Sequence, residues 1–294
     1  MTRLRWIVSS EASALHAAAA LAEGREIVDT RLAAALAEPA AKLFLALKTA
    51  ALAPADFVRH AIPLVCRADN LDLAELIIEA AKRGTDRELS ASGCDAVVRA
   101  LDELIAAQDV AIPDLPQQLA VRTAPLAEQW EARGPGLLAQ IGRSTDRSLI
   151  PAEVDVALVY PVCGGGGAAS MSYNLVRIEA VLANPCAEVP EVVRLGWLIA
   201  QSKFEQPPSG FEWTPRQSET LAAVALAPAA LEAAEYVELA RFDAQTLQQA
   251  LDSWGLAEAL RSVPAQLLHD WWNESSEWKP SLLSLKAMLR DSVC

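Results

Sequence analysis

Histidine is nearly missing from this 294-residue chain: His16, His60 and His269 are the three, and none has another His within five residues. That spacing leaves out the paired ligands of HExxH, and no CxxC or GxSxG sequence occurs either. Cysteine is sparse and odd in number. Cys66, Cys94, Cys163, Cys186 and Cys294 are scattered, which excludes a disulfide scaffold and suits reduced thiols in a cytoplasmic protein. Positive charge is also short, with 25 Lys and Arg against 38 Asp and Glu and a formal charge of −13. Nucleic-acid surfaces rest on clustered Lys and Arg, so none is expected here. No apolar run reaches the length of about eighteen uncharged residues that a membrane span needs. Arg3 and Arg5 before Trp6-Ile7-Val8 look like the start of a signal peptide, but Ser9-Ser10-Glu11 interrupts the run.

What the chain has in plenty is alanine and leucine. The 57 Ala and 41 Leu make up a third of it, enough apolar surface to exclude a disordered chain. Alanine is the best helix former and lets helices approach closely. The pattern predicts a mainly α, multi-helix globular protein with a small antiparallel β-hairpin in the middle. Residues 1–115 read as an N-terminal helical region and 116–294 as a helical region holding the hairpin (154–182). The two could also form one continuous domain.

Punctuation sets the expected helices. Ser10 caps a helix running to Glu23, with Gly24 as its left-handed stop. A second helix is expected over Arg25 to Ala37, with Pro39 in the first turn of the next. Pro54 and Pro63 divide the following stretch. Asp69 or Asn70 opens a helix closed by Gly84, and another runs from Gly93 to Ala107. A helix from Pro125 to Arg133 ends at Gly134-Pro135-Gly136. Thr214-Pro215-Arg216-Gln217 is a capping box with Pro at the first helical position. Beyond it, breaks are expected at Pro228, Gly255, Pro264 and Pro280.

Two β-branched runs stand between these helices. Val154 to Val162 is bounded by Pro151 and a glycine run, and Leu175 to Val181 is ended by Asn184-Pro185. They are expected to pair as a hairpin with a long tip, laid against helices.

Cys163-Gly164-Gly165-Gly166-Gly167 is the most unusual local sequence. Four glycines after a strand can turn backbone N–H groups inward as an anion-binding nest. A thiol at that strand end could then act as a nucleophile beside an oxyanion hole. A hairpin tip, or close passage of backbone over a neighbour, explains the glycines equally. The run lacks the GK[ST] ending of a P-loop and the spacing of GxGxxG. Glu232, Glu235 and Glu238 form a three-residue stripe that reads as a solvated face.

Aromatics are only 5% of the chain, yet four of its eight tryptophans fall in the last forty-one residues. Trp254, Trp271, Trp272 and Trp278 point to a protein partner or to self-association, since Trp joins large apolar area to an N–H donor. Anchoring of the last helices in the core is the competing account.

The stretch 155–201 resembles, in layout, the central part of zincin metallopeptidases, where an edge strand precedes a helix bearing HExxH. Val176 to Val181 matches the strand and Pro190 to Ser202 the helix. Arg194 and Leu198 then stand where the His ligands belong, and Leu195 where the general-base Glu belongs. The resemblance implies an inactive relative that keeps the scaffold without zinc. The expected function is a non-enzymatic interaction or scaffold protein, with no catalytic residue, metal or cofactor assigned. The alternative is an enzyme, or a small-ligand or anion binder, built on Cys163 to Gly167.

Overall fold

A computed structural model describes residues 2–67, 72–85, 89–204, 214–256, 260, 263–274 and 277–289. Among them are eleven α-helices and one four-stranded sheet. The chain opens with β1 (Arg3–Val8), α1 (Ser10–Ala22), α2 (Thr30–Thr49), α3 (Pro54–Val65), α4 (Leu73–Gly84), α5 (Ala91–Ala111) and α6 (Leu115–Ser144). It continues through β2 (Glu153–Val159), β3 (Gly167–Ser170), β4 (Leu175–Glu179), α7 (Glu191–Gln201) and α8 (Pro215–Tyr236). Helices α9 (Ala244–Ser253), α10 (Ala265–Glu274) and α11 (Trp278–Leu289) complete it.

The sheet order is β1-β2-β4-β3. Strand β2 lies parallel to both β1 and β4, and only β3 runs antiparallel, against β4. The expected antiparallel pairing of 154–162 with 175–181 is therefore corrected. Their connection contains a strand of its own: Gly167–Ser170 reverses the chain, and a short turn closed by left-handed Asn174 reverses it again. Two reversals leave β4 pointing the same way as β2. The antiparallel hairpin is β3–β4, and β4 is an inner strand, where the zincin layout has an edge strand.

Strand β1 has no counterpart in the sequence reading. Its pairing partner lies some 150 residues away, so no local pattern announces it. Across that pair Arg3 bonds Glu153, and Arg5 holds Asp155 bidentately at 2.8 and 2.9 Å.

Several expected breaks are absorbed into helices. Pro39 lies inside α2, Pro63 inside α3 and Pro228 inside α8, while Pro125 and the Gly134-Pro135-Gly136 sequence lie inside the thirty-residue α6. An interior proline costs about 3 kcal/mol. In α6 that cost is offset by one continuous buried face: Leu119, Leu126, Trp130, Leu137, Leu138 and Ile141. Asp72 caps α4 through Ala74 and Glu75 N–H, whereas Asp69 and Asn70 lie outside the described residues. The Thr214 capping box forms as expected.

Helix α1 covers one face of the sheet, with α2 to α5 outside it, and α6 and α7 cover the other. Helix α8 packs on α6 and α7 and is buried on all sides from Leu221 to Leu231. Its alanines allow this close approach from every direction. No helix among the described residues is long and apolar enough to cross a membrane.

Candidate functional site

The glycine run leaves the C-terminal end of β2 and returns as β3, so it wraps the end of β4, where Glu179 sits. The Glu179 carboxylate is 1% exposed. It accepts from Cys163 N–H at 2.9 Å, from Gly165 N–H at 2.6 Å and from His16 Nε2 at 2.8 Å. The anion that the loop encloses is thus the chain's own side chain. Three of the glycines have no room for a Cβ. One on Gly165 would lie 2.5 Å from the Pro185 ring, at φ +143, and one on Gly166 would lie 2.9 Å from Glu179 Oε1. One on Gly167 would lie 2.8 Å from Leu198 Cδ1 and 3.0 Å from the Arg177 carbonyl oxygen.

Burial alone would raise the Glu179 carboxyl. The hydrogen bond and charge of His16, with the backbone N–H groups of the loop, outweigh it and hold the group at about 2. His16, 2% exposed, is shifted the other way from a paired surface histidine. Burial lowers it from 6.5, and the Glu179 bond offsets only part of that. A carboxylate only accepts, so the His16 Nε2 carries a proton toward Glu179. Its Nδ1 is buried and has no partner among the described residues.

Arg194 of α7 reaches the same region from the other face and donates to Glu191. It is 1% exposed, and its Nε and Nη1 have no hydrogen-bond partner among the described residues. The helix interior around it, Val193 to Leu198, is buried throughout. The position that the zincin layout gives to a His ligand is held by this cation.

Cys163 is half-buried. Burial pushes its thiol up to about 11, and the neighbouring Glu179 carboxylate pushes the same way. Nucleophilic cysteines depend on the opposite shift. Among the described residues no group of three His, Cys, Asp or Glu is placed to hold a metal ion.

The four C-terminal tryptophans do not act as one set. Trp254 stacks on Trp197 of α7 with ring centroids 4.4 Å apart. Trp271 and Trp272 are both buried and meet at 6.0 Å, and Trp278 lies across Trp272 at 6.2 Å. These three line a cleft of about 210 Å³ with Glu232 and Glu277. In the acidic stripe Glu232 and Glu235 belong to α8, while Glu238 follows it in a left-handed conformation. A larger apolar groove, about 620 Å³, runs between α1, α2 and α3 along Ala37, Ala41, Phe44, Leu45 and Val58. Leu45 is 67% exposed on its rim.

Sequence reasoning missed the His16–Glu179 pair. The local signal was weak: His16 stands among alanines in α1, which also carries Glu11, and Glu179 shares β4 with Arg177. No protein-family model matches the chain, and neither a curated protein nor a solved structure matches it.

Proposed function

We propose that this chain is a non-enzymatic interaction protein, binding through its helical surfaces. The observation that carries the reading is the closure of the Cys163–Gly167 loop on Glu179. Two of the N–H donors that would serve an external anion or an oxyanion are engaged internally, and the adjacent thiol is raised. The open groove between α1, α2 and α3, dominated by apolar side chains, has the size and lining of a recognition surface. A degenerate metallopeptidase scaffold belongs to the same proposal. It is supported by α7 packing on β4, the strand of that layout, although β4 is an inner strand of the sheet.

Alkylation with iodoacetamide at pH 7.5 tests the reading against its rival, an enzyme or ligand binder built on Cys163. Mass spectrometry of the native protein should find Cys163 modified no faster than a free thiol in a denatured control. Labelling several-fold faster than that control would overturn the proposal in favour of the rival.

A further inference from the structure

We propose that the cleft of Trp271, Trp272 and Trp278 is a binding site for a methylated ammonium headgroup. The cleft joins two groups that such a cation needs: indole rings and carboxylates.

The aromatic part is built from three rings in different planes. Trp271 and Trp272 are inclined at 54°, and Trp272 and Trp278 at 71°. Rings set at such angles do not stack face to face, and all three border the cleft. The electron-rich face of an indole attracts a cation within about 6 Å, more strongly where water is excluded. Trp271 is fixed by its Nε1, which donates to Ser281 O and to Ser284 Oγ, both at 3.1 Å. Trp271 and Trp272 are each 8% exposed, so these rings are held by the core rather than placed on demand.

The charged part comes from Glu232 of α8 and from Glu277. Glu232 Oε2 is buried with no hydrogen-bond partner among the described residues. A buried carboxylate oxygen without a donor is costly, and a cation in the adjoining cleft offsets that cost through its charge. A methylated ammonium ion suits this oxygen, because it offers charge without requiring a hydrogen bond. The net charge of −13 steers cations toward the whole molecule.

Volume narrows the ligand. About 210 Å³ lies below the range of about 300–1,000 Å³ that holds drug-sized molecules, so a headgroup fits and a large organic cation does not. The same headgroup occurs on choline-type small molecules and on methylated lysine side chains. The cleft stands apart from the Cys163 loop, and its assignment holds whichever way the thiol test falls.

Titration of the full chain with tetramethylammonium, followed by tryptophan fluorescence and calorimetry, tests the site. Saturable binding is expected, with the uncharged neopentyl alcohol of similar shape binding at least about tenfold more weakly. Choline and an acetylated trimethyllysine amide are the arms that separate a free ligand from a protein side chain. Trp272→Leu should abolish binding, but its burial puts folding at risk. Glu232→Gln is the companion variant: it should melt no lower than wild type and bind tetramethylammonium several-fold more weakly. Equal binding of the uncharged alcohol, unchanged affinity in a folded Glu232→Gln, or no saturation by tetramethylammonium would each overturn the assignment.

Discussion

His16 Nε2 and Glu179 Oε1 lie 2.8 Å apart in the core, although 163 residues separate them in the chain. The contact ties α1 to the end of β4, and through Glu179 it holds the glycine loop closed. Replacing Glu179 by Ala strands the N–H groups of Cys163 and Gly165 and removes the acceptor for His16. Losing one partner of a buried charged network costs about 3–5 kcal/mol. Glu179→Gln keeps one acceptor oxygen but turns an NH2 toward donors, so about 2 kcal/mol is expected. Urea denaturation measures both. Losses below about 1 kcal/mol would show that the loop is held by something else.

Acid should destabilise the protein in two stages. His16 has a folded pKa below 6.5, so the unfolded chain binds its proton first. Its contribution to stability is present above pH 6.5 and is lost as pH falls through the folded value. Glu179 is depressed from 4.5 to about 2, so its contribution is present above 4.5 and is lost toward 2. Each group adds a slope of at most about 1.4 kcal/mol per pH unit within its window. His60, lowered by burial and by Arg59 and Arg83, acts in the same direction as His16. Denaturation of wild type and His16→Gln at pH 7.5 and 5.5 isolates the buried histidine. The variant should lose less stability over that interval, keeping only what His60 and other groups contribute. Parallel losses would remove His16 from the account.

The glycine loop makes a sharper prediction because a control exists in the same chain. Gly24 and Gly165 both have positive φ, at +67 and +143. A Cβ on Gly24 meets nothing within 4 Å, so Gly24→Ala carries only the backbone cost, about 1–2 kcal/mol. A Cβ on Gly165 meets the Pro185 ring at 2.5 Å in addition. Gly165→Ala is therefore expected to cost at least about 3 kcal/mol, with overpacking added to the backbone term. Equal melting temperatures for the two variants would mean that the loop shifts freely and that its closure on Glu179 is not rigid.

The helical character, the capping box at Thr214 and the left-handed stop at Gly24 were legible because their signals are local. What failed was everything set by distant partners. Pro125 and Gly134-Pro135-Gly136 are strong breakers in isolation, yet a buried stripe from Leu119 to Ile141 holds α6 together through them. The pairing of β1 with β2 depends on residues on opposite sides of six helices. At the site, the Cys163–Gly167 loop was visible as an anomaly, but its ligand was not. Nothing near it in sequence says that Glu179 turns inward or that an alanine helix supplies the histidine. For the tryptophans, the sequence marked a cluster that the structure divides, with Trp254 set against Trp197 and the other three around a cleft.

That division gives the last prediction. Trp197 is 3% exposed, donates from Nε1 to Ala223 O at 2.8 Å, and carries Trp254 stacked on it at 24°. The stack joins α7, which packs on the sheet, to the end of α9, one of the C-terminal helices. If that contact couples the two regions energetically, single replacements should not add. Trp197→Leu is expected to cost about 3 kcal/mol for a buried aromatic truncated in a tight core. Trp254→Leu, at a half-buried position, should cost about 1–2 kcal/mol. The double variant should be less destabilised than the sum by about 0.5–1.5 kcal/mol, the coupling of a stacked pair. Each unfolding curve should remain a single transition if residues beyond α8 fold with the sheet. Additive losses together with a separate early transition would mean that the C-terminal helices form an independent unit, merely resting on α7.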